Sequence, residues 1–115
     1  MTVKIYHNPR CTKSRQTLQL LRDKGIEPEV IEYLKTPPSA GELADILDKL
    51  GMEPRALMRK SESEYKANGL DNSALGSQAL IDGMVANPIL IERPIVIANG
   101  KAVIGRPPEN VLGIL

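Results

Sequence analysis

The sequence predicts an α/β domain built on a four-stranded mixed sheet that is interrupted by a helical insertion. Three observations support this fold class: a strand, helix, strand order at the start, a helical stretch at about 36–90, and a β-hairpin near the end. The length of 115 residues, with 42% hydrophobic and 25% charged residues, suits a single domain spanning 1–115. We therefore expect one core.

The chain opens with a predicted βαβ unit. Residues 3–6 alternate apolar and polar side chains, as in a short strand. A helical pattern begins at Ser14 and ends near Gly25, and a second strand is predicted at 29–33. The expected buried face of this helix consists of Leu18, Leu20 and Leu21. A strand, helix, strand run of this length is almost always a right-handed parallel unit.

The insertion at about 36–90 is predicted to consist of several separate helices. Ser39 and Glu42 have the spacing of a capping box, and Gly51 marks the end of the helix that follows. The apolar stripe of this helix consists of Leu43, Ile46, Leu47 and Leu50. Further helical segments are expected at 53–60 and at 62–68, and another begins at Ser77 and ends before Asn87-Pro88.

The C-terminal part of the sequence predicts a hairpin and a last short helix. Two β-branched runs are joined by Asn99-Gly100, a pair typical of a tight type I′ turn, and a helix is expected after Pro108. These strands complete a four-stranded mixed sheet covered by helices. The order of the elements is that of the thioredoxin-like fold.

Charge and composition restrict the classes of protein. The formal net charge of +1 argues against a broad nucleic-acid surface or a membrane-binding face, since both need clustered excess charge. The N-terminus turns polar within seven residues, and no apolar run approaches the roughly 18 residues of a membrane span. We expect a cytoplasmic monomer. With one cysteine, neither an internal disulfide nor a thiolate metal site is expected.

The stretch HNPRCTKSR contains the only cysteine and the only histidine of the chain. Cys11 falls at the strand-to-helix turn, where helix N–H groups and cationic side chains stabilise a thiolate or bind an oxyanion. The neighbouring cations are Arg10, Lys13 and Arg15. His7 is a candidate charged neighbour or hydrogen-bond donor, and Ser14 can direct its hydroxyl at the sulfur from one helical turn away.

Counting excludes two familiar thiol chemistries. A tyrosine-phosphatase loop needs arginine six residues after the cysteine, where this chain has Thr17. A dithiol oxidoreductase needs a second cysteine at the position of Ser14. What remains is a single thiol nucleophile whose covalent product is released by water or by an external thiol.

Several motifs of the sequence carry a family resemblance. They are YHNPRCTKSRQTL, YLKTPPS, RALMRKSE, LIDGMVANPILIERPIVI and GRPPENVLGIL. Together they resemble the glutaredoxin-coupled arsenate reductases essentially end to end. The resemblance implies a thioredoxin-like fold and places Pro94 at the position of that fold's cis-proline.

The resemblance also implies a reaction. Cys11 would attack the arsenic of arsenate, with His7 and Ser14 keeping the thiol ionised. The residues implied to hold the oxyanion are Arg59, Arg93 and Arg106. Guanidinium groups suit this role because they donate parallel hydrogen bonds and stay charged. Glutathione would act as co-substrate and glutaredoxin as the partner that completes reduction, with no bound cofactor and no metal.

Two alternatives remain open at this point. One is a thiol oxidoreductase of the same fold that acts on another oxyanion or on a glutathionylated substrate. The other is a regulator that binds RNA polymerase, as the Spx-type relatives of this fold do. The redox switch of such regulators usually needs Cys-x-x-Cys, which Ser14 interrupts.

Overall fold

The chain divides into two compact units in a computed structural model that describes residues 2–115, so Met1 lies outside the description. The first unit comprises the residues up to Thr36 together with Arg93–Leu115, and the second comprises Pro37–Glu92. Each unit is described by itself below. The organisation as a single domain stays a prediction.

The helices and strands follow the predicted order. The first unit contains β1 (Lys4–Tyr6), α1 (Thr12–Asp23), β2 (Glu29–Ile31), β3 (Ile95–Ala98), β4 (Lys101–Ile104) and a 3₁₀ helix at Pro108–Ile114. The second unit contains α2 (Ala40–Leu50), α3 (Pro54–Leu57), α4 (Ser63–Ala67), α5 (Ser77–Ala86) and a 3₁₀ helix at Pro88–Leu90. No helix within residues 2–115 is both long enough and apolar enough to cross a bilayer.

The four strands form one mixed sheet in the order β2-β1-β3-β4. β1 pairs in parallel with β2 and antiparallel with β3, so that Lys4 lies opposite Glu29 on one side and Ile97 on the other. β3 and β4 form the predicted hairpin, whose turn residues Asn99 and Gly100 have φ of 55° and 73°. A type I′ turn needs positive φ at both positions, as these residues have. The strand order and the strand pairing are those of the predicted thioredoxin-like fold, which is therefore confirmed.

The core of the first unit lies between the sheet, α1 and the C-terminal 3₁₀ helix. Its buried members are Val3, Ile5, Leu21, Val96, Ala98, Val111 and Ile114. Leu18 and Leu20 pack against this core but are only partly buried. The predicted leucine face of α1 therefore packs against the core, and the positions that α1 buries fully are Ser14, Thr17 and Leu21. Their spacing of three and four residues is helical, but the face is polar at its N-terminal end.

Some predicted boundaries were also wrong. α1 begins at Thr12, two residues before Ser14, because Cys11 has extended backbone angles and its carbonyl accepts the first helical hydrogen bond, from Arg15 N at 3.0 Å. β2 ends at Ile31 rather than 33, and α3 and α4 are shorter than expected. The last helix is of the 3₁₀ type.

The second unit contains the predicted capping box. The Ser39 hydroxyl accepts a hydrogen bond from Glu42 N at 3.1 Å, and the Glu42 carboxylate accepts one from Ser39 N at 3.0 Å. α2 buries Leu43, Ile46 and Leu47, and α5 packs against both α2 and α3. Arg55 holds α4 and the segment that follows it, since it donates to Tyr65 Oη at 2.6 Å in α4 and to Leu70 O at 2.8 Å and Asn72 O at 2.9 Å beyond it.

Candidate active site

A tight turn carries the chain from β1 into α1. Cys11 N donates to Asn8 O at 3.0 Å, which closes a four-residue turn with Pro9 at its second position, where a fixed φ is favourable. Asn8 Oδ1 accepts from Arg10 N at 3.0 Å, and Arg15 Nη1 donates to Pro9 O at 3.0 Å. These local bonds fix the position of Cys11 immediately before the helix.

The thiol of Cys11 is buried, with 8% of the residue exposed. Cys11 is the N-cap residue of α1 and therefore lies at the end of the helix where the first N–H groups are, although its side chain makes no capping hydrogen bond. Those groups have no intrahelical acceptor, and they form the positive end of the helix dipole. A thiolate or an oxyanion at this position is electrostatically favoured.

One predicted arginine lies beside the sulfur. Arg106 Nη1 is 3.7 Å from Cys11 Sγ and 3.4 Å from the carbonyl oxygen of Arg93. Arg93 precedes β3 and Arg106 follows β4, so the antiparallel hairpin brings the two arginine-bearing segments together. The Arg93 Nε and Nη1 atoms are buried. The Arg93-Pro94 bond is cis, as predicted, and Arg106-Pro107 is a second cis bond that was not predicted.

His7 and Ser14 form a buried pair behind the turn. His7 Nδ1 lies 2.6 Å from Ser14 Oγ, and Ser14 Oγ also accepts from Asn8 N at 3.0 Å. Burial lowers the pKa of His7, Arg22 and Arg15 lower it further, and Glu32 opposes them. His7 is therefore neutral at neutral pH, which favours its role as a hydrogen-bonding group over that of a charged neighbour.

The Ser14 hydroxyl is placed differently from the expectation. Within residues 2–115 its hydrogen-bond partners are His7 and Asn8, and Cys11 Sγ is not one of them. The pair instead joins the end of β1 to the first turn of α1. That His7 and Ser14 keep the thiol ionised stays a prediction.

Arg59 belongs to the second unit and is described within it. Its Nη1 lies 2.7 Å from Glu62 Oε1, its Nε lies 3.8 Å from Glu92 Oε1, and its backbone N donates to Leu90 O at 2.7 Å. An oxyanion at this guanidinium would compete with two carboxylates. The role of Arg59 beside Cys11 stays a prediction.

Sequence reasoning missed two residues that adjoin this arrangement. Thr17 is fully buried, and its single hydroxyl proton is shared between Lys13 O at 2.8 Å and Gly105 O at 3.2 Å. Gly105 N in turn donates to Pro94 O at 2.9 Å. At the level of sequence, Thr17 served only to exclude a phosphatase loop. Its contact with Gly105 could not be predicted from local sequence, because the two residues are 88 positions apart.

The fold and the site define a class: a thioredoxin-like protein with a single buried thiol at a helix N-terminus and an arginine at the sulfur. The family model described as the ArsC family matches residues 6–114. The chain belongs to the ArsC family.

Individual relatives cover nearly the whole chain. It is 60% identical to the uncharacterized protein YfgD of Escherichia coli (strain K12), over 98% of this chain and 96% of the relative. It is 52% identical to the arsenate reductase of Neisseria meningitidis serogroup B, over 98% of this chain and 97% of that protein. The solved structure of the arsenate reductase from Vibrio cholerae superposes with a TM-score of 0.97 at 54% identity, covering 100% of this chain and 98% of that one.

Proposed function

We propose that the protein is an arsenate reductase in which Cys11 is the nucleophile and glutathione and glutaredoxin supply the reducing thiols. The observation that carries the proposal is the buried sulfur at the start of α1 with Arg106 Nη1 3.7 Å away. Family membership and relatives named arsenate reductases at 52% identity support the choice of substrate.

The first step suits this arrangement chemically. The Cys11 thiolate attacks the arsenic of arsenate, a sulfur–arsenic bond forms, and one arsenate oxygen leaves as water after protonation. The remaining oxygens carry negative charge, which guanidinium groups stabilise through charge-assisted hydrogen bonds. Arg106 is the group already at the sulfur, and Arg93 and Arg59 are the further candidates.

Reduction of As(V) to As(III) needs two electrons, and the chain has one thiol. Glutathione forms a second sulfur–arsenic bond with loss of another oxygen as water. The glutaredoxin thiol then attacks the glutathione sulfur, so a glutaredoxin–glutathione disulfide leaves and the electron pair stays on arsenic. Water releases arsenite and returns the Cys11 thiolate. We further propose that the protein works in the cytoplasm as a monomer.

A coupled assay tests the proposal. Arsenate, glutathione, glutaredoxin, glutathione reductase and NADPH are combined, and NADPH oxidation is followed with each component left out in turn. We expect turnover only with the full system, background activity for Cys11→Ser, and a loss of about a hundredfold for Arg106→Ala. Arg10→Ala is the matched control, because Arg10 adjoins the cysteine in sequence but its side chain is exposed.

Each part of the proposal has its own contradicting result. Absence of NADPH oxidation above background with the complete system would rule out arsenate as substrate. Persistent turnover in Cys11→Ser would rule out the thiol mechanism, and persistent turnover without glutaredoxin would rule out that partner.

A further inference from the structure

We propose that Thr17 is a positioning residue that holds Arg106 at the Cys11 sulfur. The inference rests on the proposed function in taking Cys11 as the reacting group, but it concerns the thiol itself and can be tested without arsenate. It assigns a role to a buried hydroxyl that the proposed reaction does not use.

The Thr17 side chain connects the helix that carries the thiol to the strand end that carries the arginine. Thr17 lies in α1, six residues after the N-cap residue Cys11, and it is fully buried. Its hydroxyl proton is shared between Lys13 O within α1, at 2.8 Å, and Gly105 O across the interior of the first unit, at 3.2 Å. Gly105 is the residue immediately before Arg106, so this bond fixes the backbone from which Arg106 extends.

The contact has no spare room. A Cβ on Gly105 would lie 2.6 Å from Thr17 Oγ1, 2.9 Å from Thr17 Cγ2 and 3.0 Å from Pro94 Cγ. Thr17 and Pro94 therefore both occupy the space where a side chain of residue 105 would begin. Gly105 N also donates to Pro94 O at 2.9 Å, which joins the segment of Arg93 to the same arrangement.

Loss of the hydroxyl has a defined consequence. Gly105 is buried, and a buried carbonyl that loses its donor is costly, so the backbone shifts to find another partner. Arg106 Nη1 is already at the long distance of 3.7 Å from Sγ, where a small displacement breaks the contact. The thiolate would then lose its neighbouring cation, and Cys11 would react more slowly at neutral pH.

Two substitutions separate the hydroxyl from the shape of the side chain. Thr17→Val keeps the branched shape and removes the donor, whereas Thr17→Ser keeps the donor and removes the methyl group. The readout is the rate of Cys11 alkylation by iodoacetamide across pH, which has a single target because the chain has one cysteine. Urea unfolding of each full-length variant is measured in parallel.

We expect Arg106→Ala to slow alkylation at neutral pH by about tenfold, the value of one charge-assisted hydrogen bond. Thr17→Val should slow it by about threefold to tenfold, since the cation is displaced rather than removed. Thr17→Ser should react at the rate of the unchanged protein even if it is less stable.

A double-mutant cycle tests the route. Thr17→Val should have no further effect on alkylation in the Arg106→Ala background, because the residue acts through Arg106. If Thr17→Val does not fold, Thr17→Ala replaces it in both comparisons. The proposal is overturned if the hydroxyl-free variant alkylates at the normal rate, if Thr17→Ser is slowed equally, or if the two substitutions are additive. A failure of the arsenate assay alone leaves these outcomes unchanged.

Discussion

Replacing Gly105 by alanine should destabilise the protein and slow its thiol. The added Cβ would lie under 3.0 Å from two atoms of Thr17 and at 3.0 Å from the ring of Pro94. Neither neighbour can move easily, because Thr17 is fully buried and stiff at χ1, and Pro94 has a closed ring. The strain must therefore be relieved by the backbone that leads into Arg106.

The magnitude follows from two opposing effects. Overpacking of a filled interior typically lowers the free energy of unfolding by about 1–3 kcal/mol. Alanine reduces the conformational entropy of the unfolded chain relative to glycine, which raises the free energy of unfolding by about 0.4–1 kcal/mol. We expect a net loss of about 1–2 kcal/mol in the free energy of unfolding, measured by urea denaturation with an unchanged m-value. Cys11 alkylation at neutral pH should slow as well, because the displaced segment carries Arg106.

Gly83→Ala is the matched control. A Cβ there would also meet close atoms, at 2.8 and 2.9 Å, but these are the terminal methyl groups of Leu70, which can rotate away. Gly83 lies inside α5, where alanine is favoured over glycine by about 1 kcal/mol. The control should be neutral or stabilising with normal alkylation. Equal stability losses in the two variants would refute the argument from rigid neighbours, and normal alkylation in Gly105→Ala would refute the link to Arg106.

Three further predictions follow from contacts in each unit. Arg55→Met should lower the free energy of unfolding by about 2–4 kcal/mol, because three hydrogen bonds from one charged group are lost. The control Arg22→Met removes an exposed ion pair with Glu27 and should change the free energy of unfolding by under about 1 kcal/mol. Urea denaturation measures both variants, and equal effects would contradict the stabilising role of the Arg55 hydrogen bonds. Ser39→Ala should cost about 1 kcal/mol through loss of the capping box, seen as faster amide exchange at the start of α2, and unchanged exchange would contradict it. Because burial lowers the pKa of His7, the unfolded chain binds the proton first as pH falls below about 6.5, and the free energy of unfolding should drop there by at most about 1.4 kcal/mol per pH unit. Denaturation at a series of pH values should show a shallower slope of stability against pH in His7→Asn. An identical slope would show that another group is responsible.

Features that depend on neighbouring residues could be read from the sequence. The capping box of Ser39 and Glu42, the turn at Asn99-Gly100 and the position of Cys11 at a helix start all rest on local hydrogen bonds or on local φ values. Such preferences act within about four residues, so the types of the neighbouring residues are enough to predict them. The order of strands and helices followed from the same local patterns together with the handedness of βαβ connections.

The surroundings of the thiol were decided by the tertiary structure. Helical periodicity pointed to leucines on the inner face of α1, but that face begins with Ser14 and Thr17, whose hydroxyl groups have hydrogen-bond partners just after β1 and just after β4. Local sequence could not show these partners. The neutral state of His7 likewise depends on burial, which the sequence alone does not determine.

The sequence by itself determined which residue types are available at the site: one thiol, one imidazole and several arginines. Tertiary structure alone decided which of them meet, since Arg106 and Cys11 are 95 positions apart in the chain and 3.7 Å apart in space. A contact of that kind exists only after the hairpin has paired and α1 has packed against it, because the free energy that holds it comes from the shared core rather than from either segment.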